Sequence, residues 1–391
     1  MYLFEFIVAA ISATAWTYLL FAHGSFWRVR QKLIPGAPAS QTSAVVAAVI
    51  PARNEADVIG RSIASLLRQS GPHSLHVFLV DDGSSDGTAE AARQAALSCN
   101  RDGSLTVMPG RPLAKGWSGK VWAMSQGIEA ARVINPDFLL LTDADIEHAP
   151  DNISSLIGVA ESGPYDLTSI MVKLHCRSFA EKLLIPAFVY FFFKIYPPSW
   201  IANPGRQTAG AAGGCMLIRP AALARAGGVR SICGEIIDDC ALARKIKDSN
   251  GRVWLGMSDA TVSLRPYGSF TEMNRMISRT AFNQLRHSAL LLLGTIVGLG
   301  VVYVAPPALL GSGRFWPTAV GLLAYVLMVA SYLPIVGLYD LNPAWGFTLP
   351  FSALFYMAAT IRSALNYWTG RGGQWKDRAQ DVRGGFTSSS R

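Results

Sequence analysis

Four mostly apolar runs mark out the region between residues 44 and 142. They lie at 44–50, 76–80, 105–108 and 138–141, and each has the length of a buried strand. Helical patterns separate them, at 89–96, at 122–132 and in a stretch opened by Asn54 and Glu55, where Ile59, Ile63 and Leu66 recur at intervals of three and four. Strands that alternate with helices across short turns predict an α/β fold with a doubly wound, mostly parallel sheet.

Four longer apolar segments lie outside this region, at residues 4–22, 289–310, 316–338 and 347–367. A helix needs roughly 20 apolar residues to cross the hydrocarbon core of a bilayer, and each segment comes close to that length. The first predicts a retained anchor rather than a cleaved signal peptide, because no basic region precedes it and no small-residue cleavage site follows. The last contains Arg362 and is either a tilted span or an interfacial helix, which leaves the side of the C-terminus open.

These patterns predict four regions: an N-terminal transmembrane anchor at 1–25, an α/β domain at 44–287, transmembrane helices at 288–368 and a basic flexible tail at 369–391. Arg28, Arg30 and Lys32 follow the anchor, so the positive-inside rule places the α/β domain in the cytoplasm. The sequence therefore predicts a multi-pass protein of the inner (plasma) membrane.

The charge of the chain agrees with a membrane partner. Half of the residues are hydrophobic and only 16% are charged, yet the net charge is +9. This balance suits a protein that lies against an anionic lipid leaflet. No basic run interleaved with aromatic residues occurs, so nucleic acid is not expected as a partner.

Pairs of aspartates carry the candidate chemistry. Asp81 and Asp82 follow one apolar run, and Asp143 and Asp145 follow another, which brings them to the edge where open α/β sheets bind ligands. Carboxylate oxygens suit Mg²⁺ or Mn²⁺, which bind one or two carboxylates together with substrate phosphates. For each pair the alternative is a solvated turn or a helix cap. Neither a P-loop nor the G-x-G-x-x-G dinucleotide motif is present.

A third pair, Asp238 and Asp239, precedes a helical pattern. It is either an acidic first turn favoured by the helix dipole or the source of a general base that deprotonates a hydroxyl. Spacing alone does not decide which of the two aspartates is the base.

Taken in order, these motifs resemble those of the inverting family 2 glycosyltransferases with the GT-A fold, over residues 45–286. The resemblance implies a nucleotide-sugar donor (a UDP- or GDP-sugar), a divalent metal, and a base at Asp239 or its neighbour Asp238. It implies metal ligands at Asp145 and Asp143, and an acceptor-side segment at Gly213 and Gly214. The implied donor-binding residues are Pro51, Ala52, Arg53, Glu55, Asp81, Asp82, Lys120, Asp143, Gln284 and Arg286.

One motif departs from the family pattern. Many membrane members carry Q/R-x-x-R-W before their C-terminal spans, whereas this chain has Asn283 and His287 at the first and last positions. Gln284 and Arg286 still supply polar groups there. The missing tryptophan disfavours a processive polysaccharide synthase, which remains an alternative together with a non-catalytic membrane scaffold that kept the fold.

The overall layout is most similar to the hopanoid-associated glycosyltransferases, which are themselves similar to ceramide glucosyltransferases. This resemblance implies a membrane lipid as acceptor. An aromatic-rich stretch at 183–200 is either an interfacial helix at the level of the headgroups or an ordinary buried helix. The segment 271–287, with three arginines, is a candidate for a second surface helix.

Overall fold

The computed structural model describes residues 2–33 and 43–370, and the backbone of the short antiparallel strands Gln374–Trp375 and Arg378–Ala379. The predicted flexible tail lies outside the described residues except at 369–370 and in those two strands. The chain forms two compact units. One, the sheet unit, contains Gln31–Leu174 and Trp200–Arg265; the other, the helical unit, contains Met1–Arg30, His175–Ser199 and Pro266–Gly372.

The sheet unit is built on eight strands in the order β3-β2-β1-β4-β7-β6-β8-β5. The pairs β1–β2, β1–β4, β2–β3 and β6–β8 are parallel, and β4–β7, β6–β7 and β5–β8 are antiparallel. The strands are β1 (Val45–Ala52), β2 (Ser74–Asp81), β3 (Leu105–Pro109), β4 (Phe138–Thr142), β5 (Ile146–Glu147), β6 (Leu167–Lys173), β7 (Cys215–Ile218) and β8 (Val253–Ser263).

The continuous apolar runs form strands because both faces of this sheet are covered. Val49 and Ile50 of β1, neighbours that point to opposite faces, are both fully buried, as are Leu79 and Val80 of β2. The covering helices are α2 (Ile59–Leu67), α3 (Thr88–Ser98), α4 (Gly119–Ala131), α5 (Asn152–Ser162), α8 (Pro220–Arg225) and α9 (Asp238–Asp248). A short helix, α7 (Pro198–Ala202), lies at the point where the chain enters the sheet unit for the second time.

The predicted start of the first sheet-unit helix was wrong. Helix α2 begins at Ile59, not at Asn54. Asn54 has a φ of 52°, which is the left-handed region, and its side-chain oxygen accepts a hydrogen bond from the N–H of Ser85 at 2.9 Å. Asparagine tolerates this conformation and makes such local bonds, so it shapes a loop here instead of a helix.

Within the described part of the chain, the helical unit contains four helices that are long and apolar enough to cross a membrane: Tyr2–Phe21, Ala289–Leu309, Phe315–Leu338 and Pro343–Trp368. The second is α11 (Ala289–Leu299), a π-helical turn (Gly300–Val304) and α12 (Ala305–Leu309), and the fourth begins with a 3₁₀ turn. The first is α1 (Tyr2–Phe21), the third is α13 (Phe315–Leu338), and α14 (Leu349–Trp368) forms most of the fourth. The unit also contains α6 (Phe179–Ile195) and α10 (Phe270–Gln284).

The aromatic-rich stretch forms α6, which begins four residues before the predicted segment and ends at Ile195. Its N-terminus is fixed by a capping box, in which Ser178 and Glu181 each accept a backbone N–H of the other. The carboxylate of Glu181, 1% exposed, also accepts the N–H groups of Arg177 and Tyr267 and bonds to His175 at 2.7 Å. These bonds lower the pKa of Glu181 to about 2, although its burial alone would raise it.

The compact units do not coincide with the predicted range 44–287. Helices α6 and α10, which that range includes, belong to the helical unit. Their apolar residues explain this: Val189 of α6 and Met273 and Phe282 of α10 are buried, and both helices pack on α14.

Candidate active site

Strand direction brings the predicted polar residues to one edge of the sheet. Strands β1, β2 and β4 are parallel and end there, at Ala52, Asp81 and Thr142. Strand β7 is antiparallel to β4, so it begins at the same edge, directly after Gly213 and Gly214. Strand β8 runs parallel to β6, which is antiparallel to β7, and therefore also ends at this edge.

Two loops at this edge hold each other through side chains. The N–H of Asn54 donates to the hydroxyl of Ser84 at 3.0 Å, and the N–H of Glu55 donates to the hydroxyl of Thr88 at 2.8 Å. Arg53 donates to the carbonyl oxygen of Asp82, whose carboxylate is 3.8 Å from the same guanidinium. The loop after β1 and the turn after β2 therefore form one rigid, polar surface.

The two aspartates after β2 differ in their surroundings. Asp81 accepts the N–H of Ser84 at 2.9 Å and so shapes the turn. Asp82 is 2% exposed, and the backbone of Gly110 passes so close that a Cβ there would lie 3.1 Å from the Cα of Asp82. A side chain at position 110 would therefore press on the backbone of Asp82.

Asp143 and Asp145 lie in the tight connection between β4 and β5. Oδ2 of Asp145 accepts hydrogen bonds from the hydroxyl of Ser263 at 3.1 Å and from Nε of Arg265 at 3.3 Å. Burial and the nearby charge of Asp143 raise the pKa of Asp145, while Arg265 lowers it. A second carboxylate beside a buried one disfavours ionisation unless positive charge is close by.

Lys120, in the first turn of α4, joins two of the aspartate pairs. Its Nζ lies 2.8 Å from Oδ1 of Asp143 and 3.3 Å from Oδ2 of Asp238. Burial alone would lower the pKa of Lys120, but the two carboxylates raise it well above its ordinary value, so the ammonium group is charged. Lys120 therefore holds the β4 carboxylate and the start of α9 together.

Asp239 is held by backbone groups. Its Oδ2 accepts the N–H of Gly213 at 2.8 Å and its Oδ1 accepts the N–H of Cys240 at 2.7 Å. Burial and the charge of Asp238 raise the pKa of Asp239 to about 6, against the opposing effect of Lys120. A fixed carboxylate with a pKa near neutrality has the properties of a general base.

The carboxylates fit a hard divalent cation that completes its coordination with ligand oxygens. Asp143 and Asp145 offer two carboxylates, and the unfavourable ionisation of Asp145 beside Asp143 would be relieved by such an ion. Among the residues that the structure describes, no group of three histidine, cysteine or acidic side chains forms a complete metal cage. The arrangement suits Mg²⁺ or Mn²⁺ bound together with a diphosphate.

The structure brings together in the sheet unit the predicted residues at positions 51–55, 81–82, 120, 143–145, 213–214 and 238–239. Gln284 and Arg286 belong to the helical unit. There the side-chain amide of Gln284 bonds to the hydroxyl of Tyr196, and the exposed Arg286 follows the end of α10. Their role toward the donor remains a prediction.

Sequence reasoning missed Arg265 and a buried network behind the carboxylates. Nδ2 of Asn152 donates to Nδ1 of His148, so Nε2 of His148 donates to the hydroxyl of Thr142, which donates to the carbonyl oxygen of Gly214 at 2.7 Å. Burial lowers the pKa of His148 to about 3, so the ring is neutral. The network links the end of β4 to the start of β7.

The arrangement of strands and site defines a GT-A glycosyltransferase fold, which a solved structure supports. The mannosyltransferase from Pyrobaculum calidifontis, solved in complex with GDP-Man and Mn²⁺, superposes with a TM-score of 0.55 at 21% identity, over 91% of this chain and 98% of that one. At this identity the likeness concerns the fold. The predicted fold class, an α/β GT-A domain with apolar helices, is confirmed.

Residues 47–226 match the sequence profile of Glycosyl transferase family 2. An N-acetylglucosaminyltransferase from Rhizobium leguminosarum bv. viciae is 28% identical over 154 residues, which cover 38% of this chain and 34% of the relative. An undecaprenyl-phosphate 4-deoxy-4-formamido-L-arabinose transferase from Edwardsiella ictaluri is 34% identical over 131 residues, which cover 32% and 37% respectively. The chain thus spans about a third of the length of these relatives.

Proposed function

We propose that the protein is an inverting glycosyltransferase that moves a sugar from a nucleotide-sugar donor to a hydroxyl group of a membrane lipid. One observation carries the proposal: Lys120 contacts both Asp143, on the metal side, and Asp238, the neighbour of the candidate base. A carboxylate on the leaving-group side and a carboxylate next to the candidate base therefore both contact the side chain of Lys120.

In this reaction Asp239 accepts the proton of the acceptor hydroxyl. The hydroxyl oxygen forms a bond to the anomeric carbon, while the bond from that carbon to the diphosphate oxygen breaks and the nucleoside diphosphate leaves. Asp143 and Asp145 would hold Mg²⁺ or Mn²⁺, which would stabilise the charge of the leaving diphosphate. The rigid surface around Arg53, Glu55 and Asp82 would bind the nucleoside.

The two aspartates of the third pair take different roles in this proposal. Oδ2 of Asp238 lies against Lys120, so this carboxylate serves as a counter-charge. Asp239 is oriented by the N–H groups of Gly213 and Cys240 and has the pKa of about 6 that suits a base. We therefore assign the base to Asp239.

A raised carboxyl pKa also favours a hydroxyl acceptor over a lipid phosphate. A phosphate monoester, whose second pKa is about 6, is largely ionised at neutral pH and needs no base, whereas a hydroxyl must lose its proton. The names of the undecaprenyl-phosphate transferase relatives make the phosphate acceptor the alternative. The four apolar helices and the resemblance noted above support a lipid of the hopanoid or ceramide kind.

The basic residues at 28–32 support a sheet unit on the cytoplasmic side of the plasma membrane, by the positive-inside rule. The donor would then reach the site from the cytosol. In that compartment UDP- and GDP-sugars are the donors to test first.

The test uses membranes that contain the full-length protein, with labelled UDP- and GDP-sugars and with either a hopanoid or ceramide acceptor or undecaprenyl phosphate. Mass spectrometry of the lipid extract should show one sugar added to a hydroxyl lipid. If the Asp239→Asn variant still transfers a sugar to undecaprenyl phosphate, the proposed hydroxyl acceptor is wrong and the lipid phosphate is the acceptor. Long sugar chains would indicate a synthase, and no product with any donor would contradict catalysis.

A further inference from the structure

Arg265 contacts the two sides of the donor site at once. Its Nη2 bonds to Oε2 of Glu55, in the loop after β1, and its Nε lies 3.3 Å from Oδ2 of Asp145. The Arg265 side chain is 33% exposed, whereas the side chains of Glu55 and Asp145 are 9% and 14% exposed. The guanidinium therefore lies between a nucleotide-loop carboxylate and a metal-side carboxylate, both of them largely buried.

Lys120 makes a similar contact with Asp143, the second candidate metal ligand. Its Nζ lies 2.8 Å from Oδ1 of Asp143. Asp143 and Asp145 thus each have one carboxylate oxygen paired with a cationic side chain of the protein. The contacts with Lys120 and Arg265 lie on Oδ1 of Asp143 and on Oδ2 of Asp145, and the hydroxyl of Ser263 also donates to the latter. Oδ2 of Asp143 and Oδ1 of Asp145 would then bind an added cation.

We propose that Arg265 is a resident counter-cation that makes divalent metal binding at Asp143 and Asp145 depend on the diphosphate of the donor. This inference rests on the proposed function. A metal ion that arrives alone meets the charges of Arg265 and Lys120 and finds few ligands. A diphosphate brings negative charge and further oxygens, so metal and nucleotide bind together.

The contact with Glu55 gives the same residue a second effect. Because Arg265 is bonded to the nucleotide loop and to the metal carboxylate, it couples the positions of the two. Removing its charge should therefore have two opposite effects. The metal alone should bind more tightly, and the increase in metal affinity that the nucleotide causes should become smaller. A residue with a purely structural role would weaken both kinds of binding.

The experiment measures Mn²⁺ binding to the full-length protein in detergent micelles, from the electron paramagnetic resonance signal of unbound Mn²⁺, alone and with GDP or UDP. In the wild type, one of these nucleotides should tighten Mn²⁺ binding by about tenfold or more. Arg265→Gln should bind Mn²⁺ alone roughly tenfold more tightly, as expected for the loss of about 1.4 kcal/mol of repulsion. The enhancement by nucleotide should fall to about threefold or less.

Two further variants make the result specific. Arg265→Lys keeps the charge and should not tighten the binding of Mn²⁺ alone. Arg225→Gln removes another arginine of the sheet unit, which pairs with Asp166 at 2.8 Å, and should leave Mn²⁺ binding unchanged.

The outcomes separate the inference from the proposed function. Unchanged or weaker binding of Mn²⁺ alone by Arg265→Gln would overturn the inference, as would equal tightening in Arg265→Lys. A wild type that binds neither nucleotide at any Mn²⁺ concentration would overturn the proposed function, and the inference with it. Thermal unfolding of each variant, compared with the wild type, confirms that it is folded.

Discussion

Asp238 and Asp239 are adjacent in the chain, yet their carboxylates have different partners. Oδ2 of Asp238 lies 3.3 Å from the ammonium group of Lys120, whereas Oδ2 of Asp239 accepts the backbone N–H of Gly213 at 2.8 Å. The first is a counter-charge to a cation, and the second is oriented by neutral groups that leave it able to take a proton. This difference favours Asp239 over Asp238 as the base, a choice that the sequence left open.

Replacing each aspartate by asparagine should separate these roles. Asp239→Asn should lower the rate of transfer by about 10²- to 10⁴-fold, the usual contribution of a general base. Asp238→Asn should lower it less, because it removes one of two carboxylates that hold Lys120. Product formation is measured by mass spectrometry of the glycolipid. An Asp239→Asn variant that is as active as Asp238→Asn would refute the assignment of the base.

The activity should depend on pH through Asp239. Its pKa is raised to about 6, so the carboxylate is ionised and able to accept a proton above that pH and is protonated below it. The value of kcat/KM should therefore rise with pH through about 6 and reach a plateau near neutrality. Initial rates with the acceptor well below its KM, measured from pH 5 to 8, test this. A rate that is flat between pH 5 and 7 would exclude Asp239 as the essential base.

Gly213 should be intolerant of even one methyl group. A Cβ at this position would lie 3.1 Å from Oδ2 of Asp239 and 3.4 Å from Nζ of Lys120, closer than side chains normally approach. Gly213→Ala should reduce transfer by about tenfold or more, because small displacements of catalytic groups are costly. Gly103→Ala is the matched control, since a Cβ at Gly103 meets nothing within 4 Å. Equal activity of the two variants would show that the contact with Asp239 does not matter.

Glu181 should stabilise the helical unit by means of its charge. The N–H groups of Arg177, Ser178 and Tyr267 donate to its carboxylate, and hydrogen bonds to a charged group contribute about 1.5–3 kcal/mol. Glu181→Gln should therefore lower the melting temperature in micelles. Glu129→Gln, at a side chain that is 64% exposed, should change it little.

The pH dependence of this effect has a definite sign. The pKa of Glu181 falls from 4.5 to about 2 on folding, so its stabilisation is complete above 4.5 and is lost as the pH falls toward 2. The difference in melting temperature between the wild type and Glu181→Gln should therefore narrow as the pH falls below 4.5. A constant difference down to pH 3 would contradict the role of the charge.

Strands β1, β2, β3 and β4 could be predicted because each contains a short run of mostly apolar residues, and the runs of β1, β2 and β4 are buried on both faces. Strands β5, β6 and β8 were not predicted. The direction of β7 could not be read from Cys215–Ile218 alone, since it depends on the partner strand β4. Arg265 was missed for the same reason. It is 120 residues away from Asp145, and the antiparallel pairing of Ile146 in β5 with Ser263 in β8 brings the two together.

Local patterns were least reliable where a side chain overrides backbone preference. The spacing of apolar residues correctly indicated α2, but the bond between Asn54 and Ser85 delays its start to Ile59. The resemblance to a known family supplied the aspartate roles, and the structure added the contacts that distinguish Asp238 from Asp239. His148 gave no signal in sequence because its neutral, buried network depends on Asn152 and Thr142.

The interleaving of the two units along the chain has a consequence for biosynthesis. Strand β6 precedes α6, and its parallel partner β8 follows it, so the ribosome makes a helix of the helical unit before the sheet is complete. The first parallel strands can pair early, but β6 must wait for about 80 residues, several seconds of translation, before β8 emerges. During that interval the nascent chain exposes an unpaired strand edge, and protection of that edge by a chaperone or the insertion machinery would raise the yield of folded protein.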